Sequence, residues 1–391
     1  MTFSLSLIIL LGLLSSFMFS KLKLPGLLGM LVLGVILGPY ALNVISSDIL
    51  KISSDLRKIA LIIILLRAGL GIKKDTLKKV GSSAIKMSFI PGLFEGFTIM
   101  IVSHYLLNFS IVESGMLGFI IAAVSPAVIV PQMLNFIEAK KGEKKGVPTI
   151  ILAGASIDDV VAITLFSTFI GLYGNEQINI IKKIFDIPLS IFLGILLGVI
   201  AAFILIYIFK KFNVNDTKKA LIVLGSSILL TNIESFLENI VPIASLLGVM
   251  TIGFVIFQKS EQVGSILSDK FNNIWIFAEI LLFVLVGSQV NIYVAFESGL
   301  LGLLIIITGL LARSLGVFVS FYNTDLNIKE KLFCVISYIP KATVQAAIGA
   351  IPLSIGVKSG DIILAIAVLS IIITAPLGAI GIKLSGEKWL G

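Results

Sequence analysis

The sequence predicts an all-α polytopic membrane protein of about thirteen transmembrane helices, built from inverted-topology repeats with two discontinuous crossing helices. Three observations predict it. Of 391 residues, 57% are hydrophobic and only 13% charged, and the mean hydropathy of +1.10 lies far outside the range of a soluble domain. Basic residues are distributed unevenly between alternate connecting loops. Two apolar runs are interrupted by proline at mid-depth.

Apolar runs of about 17–25 residues, bounded by Lys, Asn, Asp and Glu, define the spans. The stretch from Phe3 to Phe19 lacks the basic leader and cleavage site of a signal peptide and reads as the first membrane helix, near 3–20. Helices two to six follow near 25–40, 55–71, 84–108, 113–135 and 147–172. Helices seven to ten lie near 186–211, 218–236, 239–257 and 271–289. The last three lie near 297–322, 329–354 and 360–384, and every loop is too short to fold alone.

On this map twenty-one of the thirty Lys and Arg residues fall on one side, among them Lys21, Lys23, Lys73, Lys140, Lys141, Lys144, Lys145, Lys210 and Lys211. Six fall on the other side (Lys51, Arg57, Lys58, Lys182, Lys183 and Lys358), and Arg67, Arg313 and Lys341 lie within helices. The positive-inside rule then places the protein in the cell membrane with its N-terminus outside and its C-terminus in the cytoplasm. The net charge of +8 is thereby explained by topology, and no nucleic-acid partner is called for. A single cysteine, Cys334, and a single histidine, His104, supply neither a disulfide nor a Cys/His metal cluster, and no cofactor is expected.

Helix five is interrupted at Ser125-Pro126-Ala127-Val128-Ile129-Val130-Pro131 and helix twelve at Tyr338-Ile339-Pro340-Lys341. An odd offset of seven helices makes the two breaks enter the membrane from opposite faces, as inverted repeats with a midplane site would. Pro126, Pro131 and Pro340 can act as plain kinks, or they can unwind backbone so that carbonyls and half-helix ends face a cavity. Ser125 and Lys341 each lie about 12 residues from a helix start, about 18 Å deep, and Asp158 and Asp159 reach the same depth in helix six. Lys341 at that depth cannot snorkel to the surface and suits compensation of half-helix dipoles.

Acidic side chains at bilayer depth are expensive and usually take part in transport. Successive helical residues diverge by about 100°, so Asp158 and Asp159 face different surroundings and should serve different roles. A proton and a small cation compete for the same carboxylate, which is the chemistry of an exchanger. Glu95 in helix four and Arg313 in helix eleven lie at matching depths of roughly 14 Å and pair either as a structural bridge or as part of ion handling. Gly34 and Gly38, and Gly194 and Gly198, permit close helix contact or dimerisation. Arg67 is near enough to the inner surface to snorkel, while Trp275 and Tyr40 suit interfacial belts.

Four motifs together resemble the monovalent cation/proton antiporter superfamily, and most closely its NHA-type sodium/proton exchangers. They are Arg67-Ala68-Gly69-Leu70-Gly71, Ser125-Pro126-Ala127-Val128 with Pro131, Asp158-Asp159, and Pro340-Lys341-Ala342-Thr343-Val344-Gln345-Ala346. The resemblance covers nearly the whole chain and implies the sodium/proton antiporter fold, a homodimer, and transport of Na⁺ or Li⁺ against H⁺ across the lipid bilayer. It implies scaffold helices in 1–83 and 212–290, core helices in 84–172 and 291–391, and a linking helix in 173–211. It also implies that Asp159 is the principal ion and proton carrier, assisted by Asp158, so that these two form the site of the transported metal ion; Ser125 and backbone carbonyls of the broken helices would complete the cation's shell. Where electrogenic relatives carry a lysine before the second broken helix, this chain has Arg313, and an arginine does not readily release its proton.

Other readings stay open on the sequence. K⁺/H⁺ exchange or K⁺ efflux fits the same fold. An intramembrane aspartyl protease also uses two membrane aspartates, but on separate helices so that they share a water, which adjacent residues do not suit. An ion channel would need a filter sequence that the chain lacks.

Overall fold

The computed structural model describes residues 1–22, 24–71, 74–142, 144–173, 180–212, 214–237, 241 and 243–390. Lys23 and Lys73, and the side chains of Pro126, Pro131, Lys182 and Lys183, lie outside the described residues. Among the described residues there are seventeen helical segments and no strands. The first eight are α1 (Thr2–Lys21), α2 (Gly26–Leu37), α3 (Ser47–Lys51), α4 (Ser53–Gly71), α5 (Lys74–Leu107), α6 (Ile111–Ala122), α7 (Pro126–Glu138) and α8 (Val147–Leu172). Next come α9 (Ile180–Lys211), α10 (Asp216–Leu237), α11 (Ser245–Lys259), α12 (Glu261–Ser288) and α13 (Ile292–Ser320). The chain ends with α14 (Ile328–Ser337), α15 (Thr343–Ile348), α16 (Ile351–Ser354) and α17 (Gly360–Trp389).

Helix five of the sequence is therefore α6 plus α7, helix twelve is α14 to α16, and α3 is an addition. Helix nine starts later, at Ser245, and helix ten starts earlier, at Glu261 rather than near 271. The polar turns at the start of α12 are helical because they are amphipathic: Leu267 and Phe271 are buried while Asp269 is exposed and Lys270 half-buried. Apolar length had located only the more apolar part of the helix. Among the described residues seven helices, including α8, α12, α13 and α17, are long and apolar enough to cross a bilayer, and five further apolar helices are shorter. This is a multi-pass membrane protein. In α5 the helical path is broken at Gly81, whose φ of 55° and ψ of −146° are open to glycine and strained for any side chain.

The helices form two compact units. The first comprises residues 1–54, 76–173 and 280–391, and the second 55–75 and 174–279. In the first unit α8 packs on α6 and α7, and α17 packs on α13 and α14. Gly34 faces the Val284 carbonyl of α12, and Gly287 faces the Leu31 carbonyl of α2, so the Gly34 pair is used for contact within the chain. In the second unit Gly194 and Gly198 meet Ala244 and Gly248 in the same way. There, too, Arg67 donates from Nε to Asn272 Oδ1 at 2.8 Å and lies over the Trp275 ring. Trp275 is thus 6% exposed beneath a cation, not part of an interfacial belt.

The first unit contains the repeat. Each broken helix begins with a capping box, Ser110 with Glu113 in α6 and Asn327 with Glu330 in α14. The same sequence interval separates Ser110 from Asn327 and Val124 from Lys341. Val124 N–H donates to Asp158 Oδ2 of α8 at 3.0 Å, and Lys341 N–H donates to Thr374 Oγ1 of α17 at 2.9 Å. Each half thus ties the unwound backbone of its broken helix to a side-chain oxygen on the helix that follows. Such bonds are required, because unpaired backbone groups cannot persist at membrane depth.

Candidate ion-binding site

The site is built where the two breaks meet. The helix α6 stops at Ala122, and Ala123 and Ser125 are extended (φ −66°, ψ 141° and φ −95°, ψ 107°). Pro126 then occupies the start of α7, where its missing N–H costs nothing. In the other half α14 ends at Ser337, and the chain resumes helix only at Thr343. Ser125 N–H donates to the Pro340 carbonyl at 2.8 Å, joining the breaks directly.

Four buried charges surround this junction. Arg313 Nη1 donates to Glu95 Oε2 at 2.5 Å, and Nη2 donates to Asp158 Oδ2 at 2.8 Å. Lys341 Nζ donates to Glu95 Oε2 at 2.6 Å. None of these side chains is more than 2% exposed. Arg313 also donates to the Ala122 carbonyl at the end of α6, and its guanidinium lies over the Tyr338 ring, 5.2 Å from the centroid. Two acids and two bases lie together, so each buried acid faces a base within ion-pair distance.

The structure brings Glu95, Arg313, Asp158 and Lys341 into one network. Lys341, expected to offset half-helix dipoles, extends its ammonium to Glu95, and its backbone N–H is held by Thr374. Asp158 is engaged through one oxygen by both Arg313 and Val124. Asp159 stands apart. It is 8% exposed, and its Oδ1 accepts no hydrogen bond from the described residues; the same holds for Asp158 Oδ1 and Ser125 Oγ. Glu95 Oε1, Tyr338 Oη, Thr343 Oγ1 and Gln345 Oε1 likewise accept no hydrogen bond from the described residues, and oxygen donors such as those of Asp158, Asp159 and Ser125 suit hard cations.

Sequence reasoning missed several participants. Gln345 lies within the motif that carries the family resemblance, yet nothing local assigns it a role; its Nε2 donates to the Ile120 and Ala123 carbonyls at 2.9 and 2.8 Å. Gly92 was also unmarked. A Cβ there would lie 2.8 Å from Asp158 Oδ1, so the smallest residue is needed beside the aspartate.

The protein family described as "Sodium/hydrogen exchanger, transmembrane" matches residues 6–386. The chain belongs to this family. The exchanger is 34% identical over 385 residues to "Sodium/hydrogen exchanger 9B2" of Homo sapiens, covering 94% of this chain and 70% of the relative. It is 31% identical over 363 residues to "Sodium/hydrogen exchanger 9B1" of Homo sapiens, covering 86% and 67%. Its fold matches the solved structure of the sodium proton antiporter MjNhaP1 from Methanocaldococcus jannaschii with a TM-score of 0.85, at 22% identity over 99% of this chain and 98% of that one. This sodium/hydrogen exchanger is accordingly a secondary active cation/proton antiporter and not an enzyme.

Proposed function

We propose that the exchanger moves cytoplasmic Na⁺ or Li⁺ outward against external H⁺, one for one, and that the Asp159 carboxylate is the site the two ions share. The observation that carries this is Asp159 itself: a buried carboxylate with no bond to Oδ1, beside a network whose four charges already cancel. The relatives' names, sodium/hydrogen exchangers 9B2 and 9B1, support the choice of Na⁺.

A carboxylate binds either a cation or a proton, so loading with one excludes the other. Asp158 Oδ1 and Ser125 Oγ offer further oxygens for the cation, with backbone carbonyls of the breaks completing the shell. Asp159 bearing neither ion would carry an uncompensated charge, and moving it through an apolar barrier costs more than moving the loaded form. That difference enforces coupling during alternating access. Arg313 does not readily release its proton, and its bond to Asp158 counts against a second exchangeable proton there, which supports one-for-one exchange.

Core helices within 84–172 and 291–391 would form the moving body, as the family resemblance implies, in a homodimer with cytoplasmic C-termini. Proteoliposomes given Na⁺, Li⁺ or K⁺ gradients, with the membrane potential clamped or free, test the proposal. Proton movement driven by Na⁺ or Li⁺ and indifferent to the clamp is expected. Movement driven by K⁺ alone would favour K⁺/H⁺ exchange on the same fold.

A further inference from the structure

We propose that Gln345 is a positioning residue for exchange, clamping the C-terminal end of α6 to the start of α15 so that the two broken helices hold the aspartates as one body. The inference rests on the exchange function proposed above. A helix ends with carbonyls that have no intrahelical partner, and in α6 that end is buried at the junction, where water cannot serve. Gln345 is fully buried, and its Nε2 donates to the Ile120 carbonyl at 2.9 Å and the Ala123 carbonyl at 2.8 Å, with Ile121 O farther away at 3.4 Å. Arg313 takes the remaining carbonyl, that of Ala122. Side chains from the second repeat therefore close the open end of a helix in the first.

An amide suits this position because it donates without adding charge to the balanced set of Glu95, Asp158, Arg313 and Lys341. Its effect reaches the aspartates through two short steps of backbone. Ala123, which Gln345 holds, precedes Val124, whose N–H is bound to Asp158, and Ser125, whose N–H is bound to Pro340. Loss of the clamp would let the first break slip against the second and carry Asp158 with it.

Replacement by glutamate separates a donor role from simple space filling. The variant Q345E keeps the shape, but its side chain can donate only when protonated, and when ionised it repels the carbonyls it faces. The ratio of Q345E to wild-type Na⁺/H⁺ exchange should rise at least about tenfold as pH falls from about 8.5 to about 6, whereas the ratio for Q345A should stay level, with kcat lowered and KM for Na⁺ little changed. Each ratio is taken across pH within one proteoliposome preparation, so the fraction of correctly folded protein cancels. A Q345E ratio that does not vary with pH, or Q345A exchange at the wild-type rate, overturns the assignment of Gln345 while leaving the exchange function standing. A wild-type protein that moves no Na⁺ overturns the exchange reading and this inference with it.

Discussion

Arg313 Nη2 lies 2.8 Å from Asp158 Oδ2, so the first of the two adjacent aspartates is held by an arginine on α13. Among the described residues the neighbouring Asp159 has no such ion-pair anchor, and its Oδ1 accepts no hydrogen bond. Their divergence on the helix thus becomes a chemical division, with one carboxylate immobilised and the other left for exchange.

Removing the anchor should be costly. In R313A, Glu95 keeps only Lys341, Asp158 keeps only the Val124 N–H, and the Ala122 carbonyl loses its donor. A loss of about 3–5 kcal/mol is expected, because breaking a buried pair leaves uncompensated charge. Thermal unfolding of the detergent-solubilised protein checks this, and an unchanged midpoint would contradict the network's role.

Gly92 should tolerate no side chain. Asp158 Oδ1 would lie 2.8 Å from the new methyl carbon of G92A, and the carboxylate cannot swing away without stretching its bonds to Arg313 and Val124. Strain of about 1–3 kcal/mol is expected, together with a lower exchange rate measured in proteoliposomes. Wild-type turnover in G92A would mean that Asp158 need not stay where it is.

Competition at one carboxylate has a pH signature. As pH falls, protons occupy Asp159 and the KM for Na⁺ rises, approaching about tenfold per pH unit once protonation dominates. Initial rates of Na⁺ uptake at equal pH on both faces measure the slope. A KM that is flat with pH would place the proton elsewhere.

The broad architecture was legible because the membrane imposes it. Apolar length marked the spans, prolines marked the two breaks, and the cost of burying charge singled out Asp158, Asp159, Glu95, Arg313 and Lys341. What could not be read was the pairing. Arg313 lies 218 positions from Glu95 and 155 from Asp158, and Lys341 lies 246 from Glu95, so no local pattern reveals that one arginine serves two acids or that one glutamate receives two bases. The polar first turns of α12 were missed because a search for apolar length passes over polar helical turns. Gln345 escaped for a different reason: an uncharged amide in an apolar run does not reveal whether it faces a neighbour or an open helix end.

The central claim, that Asp159 is the shared site of cation and proton, is tested most directly by D159N. The asparagine keeps the shape but can hold neither a proton at physiological pH nor a cation by charge. ΔpH-driven Na⁺ exchange in proteoliposomes should fall to the level of protein-free vesicles, while thermal unfolding stays close to wild type because Asp159 lies outside the ion-pair network. Exchange retained in D159N would contradict the account.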